Sequence, residues 1–383
     1  MRVLCTSTPM DGVVIPLLPI AQALRDRGHE VMIAVGPDVQ ARVEESGFTP
    51  TVIGPSAMEA AMRAFGDPAV GGPGVADAVF AAAMFGGVFA PELLPELRRI
   101  ADGFAPDAVV HPPVEFAAPI LATERGIPAT TYGFGQVLPA DMVAASAERV
   151  APLWEASGLA ADPYAGVYLD CYLDPCPPSM RLGGVAPARV VQAIRPEIAG
   201  GDSDVLPPEI MALGERPVLY ISLGTVPLFN QLTTFNVLLD AIVAEDLDLV
   251  VTIGPNNDPA ALAELPANVH TYRWLPLRPL LDRCDAVVCH GGSGTTLAAL
   301  HAGLPLVIVP QGADQFENAI ACEKSGTARV LRPDDVESAA IRDAVLAVIA
   351  TQSSERSAAR AVAAEIAAMP AAFDATAVIE TLA

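Results

Sequence analysis

Short runs rich in β-branched and other apolar residues alternate along the chain with longer segments of helical length. In the first half these runs are Arg2–Ser7, Glu30–Val35, Ala108–His111 and Ala129–Tyr132. In the second half they are Val218–Ser222, Leu247–Ile253, Asn268–Tyr272, Ala286–Cys289 and Leu306–Val309. Because strands that alternate with helices form βαβ units, we expect an α/β protein with mainly parallel sheets covered by helices on both faces.

The alternation predicts two domains, because both halves begin with an apolar strand that runs into a loop containing Ser and Thr. The segment Pro196–Pro217 between them carries Gly200, Gly201 and two consecutive prolines, which is typical of an interdomain linker. We therefore expect an N-terminal domain at 1–196, a linker at 197–216 and a C-terminal domain at 217–366. The last segment, 367–383, has apolar residues suited to a helix that crosses back to the N-terminal domain. These residues are Phe373, Val378, Ile379 and Leu382.

Charge and apolar content narrow the class of protein. The chain has 22 basic and 45 acidic residues, a net charge of −23, which argues against a nucleic-acid partner and against docking on an anionic membrane. With 52% apolar and 17% charged residues, it can bury a large core. The longest uncharged apolar stretch, 78–91, has 14 residues, fewer than the roughly 20 that span a bilayer. Because the N-terminal residues predict a strand and not a signal peptide, we expect a cytoplasmic protein without a membrane span.

The six cysteines do not predict a metal site. Their spacings do not match a CxxC zinc knuckle, and no group of histidines lies beside them in the sequence. Cys284 and Cys289 flank the apolar run DAVV, so we expect buried thiols in a reducing compartment. The sequence therefore predicts neither a disulfide framework nor a bound metal ion.

The glycine loop, residues 290–296 (HGGSGTT), is the clearest candidate for binding chemistry. It follows the strand AVVC and opens a helix, so its backbone N–H groups and the helix dipole would favour an anion such as a diphosphate. Gly291, Gly292 and Gly294 would let the backbone approach the ligand closely. An ordinary glycine-rich turn is the alternative. The loop after the first strand has one glycine where a dinucleotide fingerprint needs GxGxxG, so an NAD-dependent dehydrogenase is disfavoured.

Further motifs surround this loop in the sequence. They are ISLGT at 221–225, RWLP at 273–276, PQGADQFENA at 310–319, PLLPIA at 16–21 and RGHEV at 27–31. Together with HGGSGTT, they resemble the GT-B glycosyltransferases of family 1, most closely the actinomycete enzymes that glycosylate natural products. The resemblance spans nearly the whole chain. It implies two Rossmann-like domains, with mainly parallel sheets, that face a cleft.

The resemblance also implies roles for individual residues. Trp274 would stack on the nucleotide base, and the backbone of Leu275 would contact the base edge. Asp314 and Gln315 would bind hydroxyls of the donor sugar. The residues expected around the pyrophosphate are Ser222, Thr225, His290, Gly292, Ser293, Gly294 and Thr295. The nucleotide sugar would be a co-substrate, with no further cofactor and no metal ion.

The expected catalytic base is missing. Enzymes similar to this one usually carry G-H-x-x-P in the first loop, where the histidine deprotonates the acceptor, whereas this chain has Val13 at that position. General-base catalysis is worth about 10²–10⁴-fold, so we expect a substitute. Asp11 on the same loop is the first candidate and His111, at a strand end that should open toward the cleft, is the second. Glu115 and Asp141 are weaker candidates, and ordinary structural roles are open for all four.

Some relatives that form C-glycosides on phenolic polyketides also lack this histidine, because an electron-rich acceptor needs less help from a base. The apolar segment Phe80–Phe89 would suit such an aglycone, and a helix packed into the N-terminal core is its alternative. We expect an inverting, metal-independent transferase that moves a deoxysugar from a dTDP donor to a hydrophobic aromatic or polyketide-like aglycone. O-linkage is favoured, with C- and N-linkage open. A non-catalytic nucleotide-sugar binder that supports a partner transferase is the alternative, and a homodimer would be ordinary.

Overall fold

The computed structural model describes residues 1–66, 78–184, 186–198, 204–226, 229–262 and 265–383. These residues form two compact units. Unit 1 comprises residues 1–176, 183–195 and 369–383, and unit 2 comprises residues 177–182 and 196–368. Gly200 and Gly201 of the expected linker lie outside the described residues.

Each unit is built on one sheet in which every described strand pair is parallel. Unit 1 has seven strands in the order β3-β2-β1-β4-β5-β6-β7, and unit 2 has six in the order β10-β9-β8-β11-β12-β13. The strands of unit 1 are β1 (Arg2–Ser7), β2 (Glu30–Val35), β3 (Pro50–Val52), β4 (Ala108–His111), β5 (Ala129–Tyr132), β6 (Cys171–Asp174) and β7 (Val190–Ala193). Those of unit 2 are β8 (Val218–Ser222), β9 (Asp248–Thr252), β10 (Val269–Tyr272), β11 (Ala286–Cys289), β12 (Leu306–Ile308) and β13 (Ala328–Val330). The α/β class with parallel sheets is confirmed.

Helices connect most successive strands, as is usual for crossovers between parallel strands. In the first part of unit 1 they are α1 (Asp11–Val14), α2 (Leu17–Asp26), α3 (Gln40–Glu45), α4 (Ala57–Phe65), α5 (Ala78–Ala81), α6 (Ala90–Phe104), α7 (Ala117–Arg125) and α8 (Ala140–Ala156), with a π-helical segment at Ala82–Phe89 between α5 and α6. In unit 2 they are α9 (Pro208–Met211), α10 (Leu232–Ile242), α11 (Leu277–Leu281), α12 (Ser293–His301), α13 (Gln315–Lys324), α14 (Ser338–Ile349) and α15 (Ser354–Ala368). The chain then returns to unit 1 as α16 (Ala372–Ala375) and α17 (Ala377–Leu382).

The segment Phe80–Phe89 packs into the core of unit 1. Met84 and Phe89 are buried, whereas Phe80 and Phe85 are partly exposed and pack against the same cluster. The π-helical segment approaches α8 closely, because a Cβ on Gly86 would lie 3.1 Å from the Arg149 side chain. This arrangement supports the core interpretation of the segment over an open acceptor pocket.

Among the described helices, the continuous one at 78–104 is long and apolar enough to span a membrane by length and composition alone. Half of its most apolar window is buried, as in the core helix of a globular protein. Its Leu93, Leu97 and Phe104 belong to the core cluster on one face of the sheet of unit 1. The apolarity of this helix is therefore accounted for by packing within unit 1.

Candidate active site

The order of strands in unit 2 changes direction between β8 and β11, which is where open parallel sheets bind ligands. Ser222, the last residue of β8, pairs with Cys289, the last residue of β11. Gly224 and the glycine loop therefore lie side by side after these strands. The sequence-predicted donor residues thus follow four strands of one sheet edge, β8, β10, β11 and β12.

Helix α12 begins at Ser293 without a side-chain cap, because its N-cap residue is Gly292. The first N–H groups of a helix have no partner within the helix, and the helix dipole adds a partial positive charge there. Gly294, in the first turn of α12, is exposed and has open space where a side chain would project. This helix end can bind the oxygens of a diphosphate with backbone groups alone.

His290 lies directly against this helix end. Its side chain is buried, and its Nδ1 atom has no hydrogen-bond partner among the described residues. Burial lowers the pKa of His290 to about 4, against the weaker effect of nearby Asp314, so the imidazole is neutral at pH 7. The ring fits only because two glycines flank it: a Cβ on Gly224 or Gly292 would lie 2.7 or 2.5 Å from Nε2. A neutral imidazole can donate a hydrogen bond to a phosphate oxygen without adding a charge.

The loop after β12 is joined to the glycine loop by side-chain hydrogen bonds. Ser293 Oγ donates to Asp314 Oδ2 at 2.6 Å. Asn318 Nδ2 lies 2.9 Å from the Gly291 carbonyl oxygen, 3.0 Å from Ser293 Oγ and 2.9 Å from Asp314 Oδ2. Sequence reasoning gave Asn318 no role. Its spacing of four residues from Asp314, one turn along α13, was the available signal.

Gln315 is buried, and its side-chain oxygen accepts hydrogen bonds from the backbone N–H groups of Gln311 and Gly312, at 2.8 and 3.2 Å. In this arrangement the amide oxygen of Gln315 shapes the loop after β12. Any bond from Gln315 to a donor sugar would therefore come from its amide nitrogen.

Trp274 and Leu275 follow β10. The Trp274 side chain is 51% exposed, which is unusual for so large an apolar residue and fits a ring that is covered by a ligand. Leu275 is buried and fixes the chain next to it. Thr225, after β8, is partly exposed.

In unit 1, the position of the expected histidine lies in helix α1, which follows β1. Val13 is buried, and its carbonyl oxygen accepts a hydrogen bond from the buried Tyr132 hydroxyl at 3.0 Å. Asp11, the first residue of α1, keeps 28% of its side chain exposed and lies 3.6 Å from Arg42 Nε. Asp11 is thus a partly exposed carboxylate two residues from Val13.

His111 is not open to solvent as the sequence suggested. Its side chain is fully buried, and it contacts the backbone that follows β4. Nδ1 lies 3.0 Å from the Pro112 carbonyl oxygen, so Nδ1 is the donor, and Nε2 lies 3.2 Å from Thr131 Oγ1. Burial lowers the pKa of His111 to about 4, against the weaker effect of nearby carbonyls. The Thr131 hydroxyl donates its one hydrogen to the Val167 carbonyl oxygen at 2.6 Å, so it does not donate to Nε2. The His111 side chain is nevertheless enclosed within unit 1.

Glu115 and Asp141, the two weaker candidates for the catalytic base, differ in burial. Glu115 is buried and accepts hydrogen bonds from the N–H groups of Ala117 and Ala118, where α7 begins. Burial raises the pKa of Glu115 to about 7, although these two bonds oppose the shift. Asp141 is exposed in the first turn of α8. The geometry of Glu115 is that of a carboxyl group that caps a helix.

Comparison with known proteins identifies the class of protein. The model of the erythromycin biosynthesis protein CIII-like family matches with its N-terminal domain at residues 77–196 and its C-terminal domain at residues 236–382. The L-demethylnoviosyl transferase of Streptomyces niveus is 33% identical over 83% of this chain and 82% of its own. The elloramycin glycosyltransferase ElmGT of Streptomyces olivaceus is 31% identical over 100% of this chain and 97% of its own.

A solved glycosyltransferase structure is similar in fold to this chain over its whole length. The glycosyltransferase SsfS6 of Streptomyces sp. SF2575, complexed with thymidine diphosphate, has a TM-score of 0.78 and is 26% identical, covering 100% of this chain and 99% of that one. The chain is therefore a glycosyltransferase of the GT-B fold. It belongs to the erythromycin biosynthesis protein CIII-like family, of the natural-product type found in Streptomyces. This family membership excludes the alternative functions that the sequence left open, a dehydrogenase and a non-catalytic nucleotide-sugar binder.

Proposed function

We propose that this enzyme transfers a sugar, most simply a deoxysugar, from dTDP to a hydrophobic aromatic or polyketide-like aglycone, with inversion at the anomeric carbon. The observation that carries the proposal is the diphosphate site after β11. An uncapped helix end, a glycine loop and a buried neutral imidazole meet there. A related structure of the same fold contains thymidine diphosphate, which supports dTDP as the nucleotide.

The proposed reaction needs few groups. Asp11 removes the proton from the acceptor hydroxyl, and the acceptor oxygen then forms a bond to the anomeric carbon from the face opposite the diphosphate. The bond between the anomeric carbon and the phosphate oxygen breaks, and its electron pair leaves with dTDP. The N–H groups at the start of α12 stabilise the negative charge that develops on the leaving diphosphate.

Asp11 is preferred to His111 as the base. Its carboxylate is partly exposed, whereas the His111 side chain is fully buried within unit 1. His111 also has its pKa lowered to about 4, which makes it a weak base at neutral pH. An O-glycoside follows most directly from a carboxylate base, and a C-glycoside would need it less.

The test is turnover of a panel of dTDP-sugars with phenolic and polyketide aglycones, followed by mass spectrometry and by NMR of the product. We expect a glycoside with inverted anomeric configuration, and more product from dTDP-sugars than from the matched UDP-sugars. A preference for UDP-sugars would contradict the dTDP assignment. A product with retained configuration would contradict the mechanism.

A further inference from the structure

The hydroxyl group of Ser293 has one hydrogen, and the structure identifies its acceptor. Ser293 Oγ lies 2.6 Å from Asp314 Oδ2, and a carboxylate oxygen can only accept, so the hydroxyl donates to Asp314. A phosphate oxygen at the glycine loop would also need a donor. In this arrangement the Ser293 side chain cannot supply one, so the donors must be other groups, such as the backbone N–H groups of the helix end. This differs from the role that the family resemblance implies for Ser293.

Asn318 completes the same cluster from the next helix. Its Nδ2 group lies within hydrogen-bond distance of the Gly291 carbonyl oxygen, Ser293 Oγ and Asp314 Oδ2, and the residue is 4% exposed. Asp314 Oδ2 accepts from Ser293 Oγ and lies 2.9 Å from Asn318 Nδ2, whose two hydrogens are shared among three acceptors. Oδ1 makes neither of these contacts, so it can accept a hydrogen bond from a ligand, and the contacts at Oδ2 orient it.

We propose that Ser293 and Asn318 are positioning residues for sugar recognition, which hold the Asp314 carboxylate so that Oδ1 accepts a hydroxyl of the donor sugar. The cluster also ties this carboxylate to the loop that would bind the diphosphate, through the Gly291 carbonyl. The two subsites are thus held in a fixed relation to each other within unit 2. The inference rests on the proposed donor site.

The test compares a ligand without a sugar and one with a sugar. Calorimetry with dTDP and with dTDP-rhamnose, together with kcat/KM for a turned-over dTDP-sugar, is measured for Ser293→Ala, Asn318→Ala and Asp314→Ala. A hydrogen bond to a charged group is worth about tenfold or more. We expect Ser293→Ala and Asn318→Ala to lower kcat/KM about tenfold while the Kd for dTDP stays within about threefold. Ser293→Thr, which keeps the hydroxyl, should restore most of the loss.

The decisive measurement is made in the Asp314→Ala background. If Ser293 and Asn318 act through Asp314, removing either of them there lowers kcat/KM no further. Losses that multiply, or an equal loss of dTDP affinity, would overturn the inference, because the two residues would then act on the glycine loop itself. Lys324→Ala, at the exposed end of the same helix, is the control and should change neither value.

Two other results separate failure of this inference from failure of the proposed function. A wild-type enzyme that neither binds dTDP nor turns over a dTDP-sugar would refute the donor site and this inference together. A wild-type enzyme that does both, with unaffected variants, would refute only the positioning role. Ser293→Ala removes a single oxygen atom, so it tests the inference even where Asn318→Ala unfolds.

Discussion

Val13 provides no proton-accepting group at the start of α1, although a backbone hydrogen bond holds its carbonyl in place. The Tyr132 hydroxyl holds the Val13 carbonyl at 3.0 Å, so the helix α1 is fixed by a backbone contact that does not depend on the side chain at position 13. The side chain itself is 7% exposed and cannot carry a proton. A base for an acceptor hydroxyl would have to come from another residue, and Asp11 is the partly exposed carboxylate two residues away.

We expect Asp11→Asn to lower kcat by about two orders of magnitude or more, with donor affinity nearly unchanged, because the variant cannot accept the acceptor proton. The measurement is steady-state kinetics with the true aglycone, alongside dTDP calorimetry. Glu45→Gln is the matched control, since Glu45 is the other carboxylate paired with Arg42. A loss of less than tenfold for Asp11→Asn would exclude Asp11 as the base, and a large loss for His111→Gln would then favour His111.

Trp274 offers a second test at the scale of a single residue. Because about half of its side chain is exposed, its removal should leave the fold intact and remove a surface on which a base can stack. By analogy with base stacking on aromatic residues elsewhere, Trp274→Ala should weaken dTDP binding by about 1–3 kcal/mol. Calorimetry measures this directly. Tyr164→Ala, an exposed aromatic residue of unit 1, is the control, and equal dTDP affinity in both variants would refute the stacking role.

At the scale of elements, the C-terminal segment is held in unit 1 by two kinds of contact. Ile379 of α17 is fully buried, and Glu380 forms an exposed ion pair with Arg27 at 2.8 Å and contacts His29 at 2.9 Å. The hydrogen bond from Arg27 is the main reason that the pKa of Glu380 falls to about 2. Exposed ion pairs contribute little to stability, whereas a buried aliphatic side chain contributes much more. Phe373, which the sequence assigned to the buried face, is 49% exposed.

We therefore expect Ile379→Ala to destabilise α17 by about 2–5 kcal/mol, the usual cost of a cavity, and Glu380→Gln to have a much smaller effect. Amide hydrogen exchange of residues 372–382 separates the two variants. Because the folded pKa of Glu380 is depressed, its contribution is present above pH 4.5 and is lost only as pH falls toward 2. Exchange that accelerates equally in the two variants would show that the ion pair, and not the apolar contact, anchors the helix.

Helix α12 carries a prediction about metal ions. We expect full activity in EDTA, because backbone N–H groups and the helix dipole offset the diphosphate charge where other enzymes use a cation. Among the described residues, no group of three or more His, Cys, Asp or Glu is placed to hold a metal ion. The check is the rate of glycoside formation before and after chelation. Activity that disappears with EDTA and returns with magnesium or manganese would contradict it.

Strong apolar patterns made most strands of the two sheets predictable from the sequence. All nine predicted strands are present, with ends that agree within one residue. The four missed strands are short or lie at or next to a sheet edge, so their residues alternate weakly or include polar ends. They are Pro50–Val52, Cys171–Asp174, Val190–Ala193 and Ala328–Val330.

Contacts between distant parts of the chain could not be predicted in the same way. Local spacing identified the glycine loop and Trp274, but the bond from Tyr132 to Val13 and the cluster around Asn318 join loops from different strands. The contact of His111 with Thr131, 20 positions away on β5, likewise joins two different strands. Such contacts follow from the packed fold and not from the pattern of any one segment.

At the scale of the whole molecule, three buried groups give the two units unequal responses of stability to acid. His290 in unit 2 and His111 in unit 1 both have pKa values lowered by burial from 6.5 to about 4. Between these values the unfolded chain binds a proton that the native unit does not, so stability falls as pH falls. Glu115 in unit 1 has a pKa raised by burial from 4.5 to about 7, so its native form holds a proton that the unfolded chain releases. Its contribution grows as pH falls through 7, and it opposes that of His111.

We therefore expect unit 2 to lose more stability than unit 1 between pH 7 and pH 5. At pH 5, about 1.5 pH units below the unfolded pKa of His290, the loss from that group is about 2 kcal/mol. Amide hydrogen exchange followed by mass spectrometry, with intrinsic rates corrected for pH, reports each unit separately. His290→Gln should flatten the response of unit 2, and Glu115→Gln should steepen that of unit 1 because His111 is then unopposed. Equal losses in the two wild-type units, unchanged in both variants, would show that other groups govern the acid response.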